Sequence, residues 1–336
     1  MRTKLFSLLL AALLSFVFVG STFAAELTVY SARKEHLIKP LFEAYTAQTG
    51  VEIRYITDKA GPLLQRLKAE GKNTKADLLI TVDAGNLWHA GNEGILQPVQ
   101  SEVLTANIPA NLRDKDNQWF GLSLRARTIV YNTNKVKPGE LSTYAALGEP
   151  AWKGRLLLRT SKKVYNQSLV AMMIAEYGET QTEQIVKGWV ANLAAAPFSN
   201  DTKTMQAIAA GQGDVGIVNT YYFARLKKKD PSVPLALFWP NQTVDGSGVH
   251  VNVSGAGVTK HAKHPEAAIK FIEWLSSDKA QNLFADVNQE YPVNPAVKPS
   301  DEVASWGTFT ASPFDLTKAG ELQTDAIKLM DRVGYR

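Results

Sequence analysis

Two adjacent tyrosines, Tyr221 and Tyr222, stand directly after an apolar run that ends at Val218 (DVGIVNTYYFARL, residues 214–226). Such a run reads as a buried strand, so the pair falls in the turn after it or in the first residues of a helix. Packing alone accounts for two tyrosines, with one ring in a core and the other at the surface. A third tyrosine changes the reading. Tyr165 lies in Val164-Tyr-Asn-Gln-Ser168, which also follows a strand and a loop and opens another helix. Strand-to-helix turns at one end of a parallel sheet converge on one crevice. The three phenols are therefore expected to face the same cleft.

A phenol has a pKa near 10, so ionising one at pH 7 costs about 4 kcal/mol. Three phenolates held together also repel one another. A hard, highly charged cation offsets both costs, because a bound cation inverts the local pKa logic. Fe(III) is such an ion, and three phenolates match its charge. Other chemistries find less support. The chain has no cysteine, which excludes thiolate metal sites and cysteine nucleophiles. None of its histidines, His36, His89, His250, His261 and His264, sits in a recognised catalytic frame. His261 and His264 share an exposed-looking turn (KHAKHP) that offers too few ligands for structural zinc. No Gly-rich phosphate loop and no nucleophile next to a base is visible, so the chain is not read as an enzyme.

The elements that must position these residues follow from hydrophobic spacing. Glu26–Tyr30, Val51–Ile56 and Asp77–Val82 read as strands. Residues 35–48 and 61–70 carry apolar positions at helical spacing and are stopped by Gly50 and Gly71. The same alternation resumes with a strand at Leu156–Leu158, helices at 168–177 and 202–211, and the strand Asp214–Val218. This pattern argues for parallel α/β units in two lobes. Segments 121–131 and 248–258 are long and β-rich and read as the two crossings between the lobes. Residues 265–276 form a helix with proline at its first position. A cleft between two lobes is a common ligand site, and hinge closure about the crossings is its expected motion.

The N-terminus opens with Met1-Arg2-Thr3-Lys4, an apolar run from Leu5 to Val19 and small residues ending at Ala25. That is the pattern of a secretory signal peptide, assigned to residues 1–24, and its run is too short to span a bilayer. No cysteine follows it for a lipid anchor, so the mature chain is expected to be free in the periplasm. About 312 residues then remain, enough for two lobes and for stability without disulfides. The net charge of +5 falls to +3 with the leader removed. The run Lys227-Lys228-Lys229 has no interleaved aromatic residues and reads as a solvated helix end, not a nucleic-acid surface.

Longer stretches complete the picture: LTVYSARKE (27–35), KADLLITVDAGNLW (75–88), LQPVQSEVL (96–104), WFGLSLRARTIVYN (119–132), PAWKGRLLLRTS (150–161), YNQSLVA (165–171), VNTYY (218–222), VHVNVSGAGV (249–258) and EYPVN (290–294). In these stretches, which run in order over essentially the whole mature chain, it resembles the periplasmic ferric-ion-binding proteins of iron ABC transporters. The resemblance implies a two-lobed periplasmic-binding-protein fold of type II that closes on Fe(III). It implies a monomer that takes up ferric ion or a ferric chelate and delivers it to an inner-membrane ABC permease. The lobes would be residues 25–124 with about 253–300, and 125–252 with about 301–336. By position, Tyr165, Tyr221 and Tyr222 match the family's tyrosine ligands. Arg125 matches the anchor of a synergistic anion such as carbonate or bicarbonate, which suits an arginine fork.

One loop departs from the family pattern. After the first strand the chain reads Arg33-Lys34-Glu35-His36, with Lys34 where a ligand histidine would stand and Glu35 where a ligand tyrosine would stand. The position of a distant glutamate ligand is Val82, with Asp83 next to it. An octahedral ion with three tyrosines and a bidentate carbonate has one place left. Glu35, a hard oxygen donor, His36 or water are the candidates for it. His36 is equally an ordinary helix-start residue. Arg33 keeps the family identity and is assigned to the anion or to closure. Asn166, Thr220 and Tyr291 are candidates for holding the ligands in place, or for plain turn and packing duty. The competing reading keeps the fold and changes the solute to a polyamine, thiamine or an oxyanion.

Overall fold

The computed structural model describes residues 26–244 and 246–336; the predicted signal segment 1–24 lies outside them. Its strands are β1 (Glu26–Ser31), β2 (Glu52–Thr57), β3 (Leu78–Val82), β4 (Phe120–Asn132), β5 (Leu156–Leu157), β6 (Val215–Asn219), β7 (Leu235–Phe238) and β8 (Val251–Val258). The early helices are α1 (Glu35–Thr49), α2 (Ala60–Glu70), α3 (Ala84–Asn92) and α4 (Glu102–Asn107). The middle of the chain adds α5 (Val164–Tyr177), α6 (Glu179–Ala191), α7 (Asp201–Ala209) and α8 (Thr220–Lys229). The C-terminal part adds α9 (Pro265–Leu275), α10 (Asp278–Asn288), α11 (Asp301–Ala304), α12 (Lys318–Glu321) and α13 (Gln323–Arg332).

One sheet threads the molecule in the order β2-β1-β3-β8-β4-β6-β5, with β7 on the other side of β4 from β6. β1 pairs in parallel with β2 and β3, and β5 with β6, as expected of α/β units. The centre differs: β4 and β8 run antiparallel to each other and to their outer neighbours. These are the two segments read as crossings. The first half of β4 pairs with β8, and its second half passes into the pairing with β6 and β7.

The apolar side chains collect accordingly. Leu27, Ile38, Leu79, Trp119, Phe271 and Phe284 belong to one buried cluster. Ile129, Val186, Trp189, Ile217, Leu329 and Tyr335 belong to a second, with Val130, Ile208 and Val218 in a third. The chain after residue 301 serves both sides, with Leu316 in the first cluster and α13 in the second. Two details position the site. α5 begins at Val164, about one turn before the expected start, so Tyr165 is its second residue. α8 begins at Thr220, so Tyr221 and Tyr222 lie in its first turn.

Candidate ligand site between the two cores

A cavity of about 170 Å3 opens between the cores, lined on one side by Tyr165, Tyr221, Tyr222 and Arg225 and on the other by Arg33, Lys34, Leu37, Val82 and Glu290. The three tyrosines expected to meet do meet. Tyr221 and Tyr222 stack with ring centroids 4.4 Å apart, and Asn219 Nδ2 donates to the Tyr221 hydroxyl at 3.3 Å. Tyr221 is buried, while Tyr165 and Tyr222 are half-buried. Burial raises the Tyr165 pKa, Tyr222 adds to the shift, and Arg125 and Arg159 oppose it. Burial also raises Tyr221 well above its usual value, with both other phenols adding to it. Without a bound cation beside them these two are neutral phenols at pH 7.

Guanidinium groups surround the rings. Arg159 lies 5.1 Å from the Tyr165 ring centroid and 5.9 Å from that of Tyr222, Arg125 lies 5.7 Å from Tyr165, and Arg225 lies 4.9 Å from Tyr221. Arg225 follows Tyr221 by one helical turn, so that contact was available from spacing alone. Arg125 Nη2 is 3.6 Å from Asp83 Oδ2, but it is buried and makes no hydrogen bond. The Nε atoms of Arg33 and Arg159 are orphaned in the same way. Buried donors without partners cost free energy, and an anion with several oxygens satisfies such donors.

Asp83 is the hub of the polar floor. Its Oδ1 accepts from Ser168 Oγ at 2.6 Å and from Gly85 N at 3.0 Å, and its Oδ2 accepts from Asn252 Nδ2 at 3.0 Å. It thus ties α5, three residues beyond Tyr165, to the start of α3. Burial raises its pKa against the pull of Arg125, Ser168, Gly85 and Asn252. Behind the tyrosines, Asp201 bridges Arg127 Nη1 at 3.2 Å and Arg159 Nη1 at 3.3 Å.

The first-lobe expectations need correction. Glu35 and His36 do not line the cavity. Both are exposed at the start of α1, and Glu35 Oε1 accepts from the Tyr55 hydroxyl at 2.8 Å on the neighbouring strand. Lys34 lines the cavity instead. The acid on that wall is Glu290, which sequence reasoning missed. It meets Arg33 Nη2 at 3.0 Å and Ser123 Oγ at 2.5 Å. Burial works against the Glu290 carboxylate, but Arg33, Arg125 and Ser123 outweigh it and hold its pKa below the usual range. Arg33 thus faces the cavity while paired.

Asn166 is buried behind Tyr165, accepting from Arg127 and donating to Arg159 O, Thr160 O and the Tyr335 hydroxyl. It therefore holds the Arg127 guanidinium and the backbone of Arg159 and Thr160. Thr220 is fully buried, with its hydroxyl unpartnered. Tyr291 lies away from the cavity, pairing with Leu124 on β4 and packing against Trp306 and Phe309. Among the described residues no group of three or more His, Cys, Asp or Glu could hold a metal ion.

Two α/β cores joined by antiparallel crossing strands, with a polar cleft between them, make this a two-lobed binding protein of the type II periplasmic class. The chain belongs to the bacterial extracellular solute-binding protein family, whose profile matches residues 73–311. It is 45% identical over 317 residues to iron uptake protein A1 of Synechocystis sp., covering 93% of this chain and 88% of that one. The major ferric iron-binding protein of Neisseria meningitidis serogroup B is 25% identical, with all of both chains covered. Among solved structures, that of Trichodesmium (IdiA) (FutA) in complex with iron and citrate ligands matches with a TM-score of 0.89 at 45% identity, covering 93% of this chain and 100% of that one.

Proposed function

We propose that this chain is a periplasmic carrier that binds Fe(III) through the phenolates of Tyr165, Tyr221 and Tyr222 and delivers it to an inner-membrane ABC permease. The observation that carries the reading is the meeting of three phenols in one small cavity, with guanidinium groups against their rings. Ferric ion is the cargo. It supplies the charge that makes ionised phenols stable at neutral pH. The names and ligands of the iron-binding relatives support the same reading.

A synergistic anion completes the coordination on this reading, with Arg125 as its anchor. The unpartnered Nη2 of Arg125, whose guanidinium lies 5.7 Å from the Tyr165 ring centroid, supports that role. Carbonate, bicarbonate or a carboxylate of an incoming ferric chelate meets the requirement. No side chain of the first lobe is assigned as a ligand: Arg33 is held by Glu290, and Lys34 favours an anion over the ion itself. The lobes are residues 25–124 with about 253–300, and 125–252 with about 301–336, acting as a monomer.

The test is optical. Protein loaded with Fe(III) should be red-orange from phenolate-to-iron charge transfer. Tyr222→Phe should abolish or strongly shift the band while leaving circular dichroism unchanged. A wild-type protein that stays colourless and takes up no ferric ion overturns the proposal.

A further inference from the structure

A second cavity, of about 770 Å3, lies at the far end of the helix that carries the tyrosine pair. One wall is α8, through Phe223, Ala224, Lys227 and Lys228. Another is β7, through Leu235, Ala236 and Leu237. The opposite rim carries Gln289, Glu302 and Trp306.

Successive residues of a strand point to opposite faces of a sheet, yet three successive residues of β7 line this one groove. The groove therefore runs along the strand's edge. Among the described residues β7 pairs with β4 alone, which leaves its other edge without a strand partner. The pairing fixes which groups it presents. Thr133 N donates to Pro234 O, next to the Asn132↔Leu235 register. In an antiparallel ladder this alternation turns Ala236 and Phe238 toward β4 and leaves the N–H and C=O of Leu237 pointing into the groove. Among the described residues, neither group of Leu237 bonds to another element.

The charge beside this edge is basic. Lys228 and Lys229 are exposed and, among the described residues, have no carboxylate partner; Lys227 also has none and its Nζ donates to Pro231 O at 3.0 Å. Glu302, on the far rim, is the one acid lining the groove. The α8 wall and the Gln289 rim also lead to the tyrosine cavity. α8 places Tyr221 and Tyr222 in its first turn and Lys227 and Lys228 in its last. Gln289, held at φ 57, directly precedes the Glu290 that pairs with Arg33.

We infer that this groove docks an extended, acidic segment of the membrane partner, which adds a strand to the open edge of β7 and sets its carboxylates against Lys227 and Lys228. Strand addition supplies backbone hydrogen bonds, and the lysines supply selectivity for charge. A segment seated there touches the same helix that holds two of the three phenols, so docking and cargo release share one element. The partner's identity as a permease rests on the carrier reading; the groove's preference does not.

The probe is a short fluorescein-labelled peptide of alternating valine and glutamate, followed by fluorescence anisotropy with the full chain at low salt. Saturable binding is expected, and a peptide with lysine in place of glutamate should bind at least tenfold more weakly. The double variant Lys227→Glu/Lys228→Glu should also lose about tenfold or more. Leu237→Pro removes the outward N–H while sparing the bonds to β4, since proline is tolerated on an edge strand with its N–H side free. It should lose about tenfold. Leu237→Ala, which keeps the N–H, should stay within a few-fold of wild type. Absence of saturable binding overturns the inference. So does loss with the lysine variants alone and none with Leu237→Pro, which marks electrostatic adhesion without strand pairing. Iron colour, measured on the same samples, separates failure of this inference from failure of the carrier reading.

Discussion

Lowering the pH is the most direct test of the proposed tyrosine-held ferric ion. A free phenol has a pKa near 10, so at pH 7 each ligand gives up a proton at a cost of about 4 kcal/mol. Burial lifts Tyr165 and Tyr221 above that ordinary value. Phenols whose pKa lies above the working pH are neutral in the empty cleft and ionised around the ion. Acid therefore favours the empty form, and iron is lost as pH falls. With three phenolates formed per ion, the association constant should climb about a thousandfold per pH unit below the phenol pKa. Tyr222→Phe removes one of those protons together with one ligand, so the climb should drop to about a hundredfold per unit. The assay is competition against a chelator of known proton stoichiometry, over roughly pH 6 to 7.5 at fixed bicarbonate, read from the charge-transfer band. A wild-type dependence of tenfold per unit or less refutes phenolate ligation by three tyrosines. An unchanged dependence in Tyr222→Phe removes that residue from the set.

Arg125→Ala should weaken iron retention mainly when bicarbonate is present; equal loss without bicarbonate would contradict an anion anchor. Ser168→Ala removes a hydrogen bond to the buried Asp83 carboxylate. It should cost about 1–3 kcal/mol, lower Tm and speed iron release to a chelator, and an unchanged Tm counts against that contact. Gly188→Ala tests packing in the second lobe. A Cβ there would sit 2.5 Å from Gly148 O, against backbone that cannot yield cheaply. Helix propensity alone predicts a gain of about 1 kcal/mol, whereas the collision predicts a loss of about 1–3 kcal/mol, read from thermal or urea unfolding.

Local pattern carried most of the elements. α1, α2 and α9 start and stop where apolar spacing, glycine and proline say, because those signals act within one or two turns. The sheet's mixed direction was less legible. Apolar runs announce strands but not their polarity, and the antiparallel centre appears only once β8 returns between β3 and β4. The start of α5 is hidden because Val164-Tyr-Asn-Gln carries little helical periodicity of its own; the bonds from Asn166 N and Gln167 N to Lys163 O carry the helix back to Val164.

The phenols could be brought together from sequence because each follows a strand at the same end of the sheet, a rule of topology needing no side-chain detail. The opposite wall has no such rule. Glu35 was weighed as a ligand by its place in the loop, yet its rotamer is settled by Tyr55, twenty residues away on β2. Arg33 is settled by Glu290 at a separation of 257 residues. Contacts of that range leave no periodic trace in a single chain. The pairing also has an electrostatic consequence. Glu290 pairs with Arg33 and Asp83 lies 3.6 Å from Arg125, which leaves Lys34 and Arg225 as the cations lining the cavity without a carboxylate partner among the described residues. On the proposed ligation three phenolates balance a trivalent ion, so these further positive charges favour an anion beside it. On charge alone, the site is better matched to iron arriving with carbonate or within a carboxylate chelate than to the bare ion.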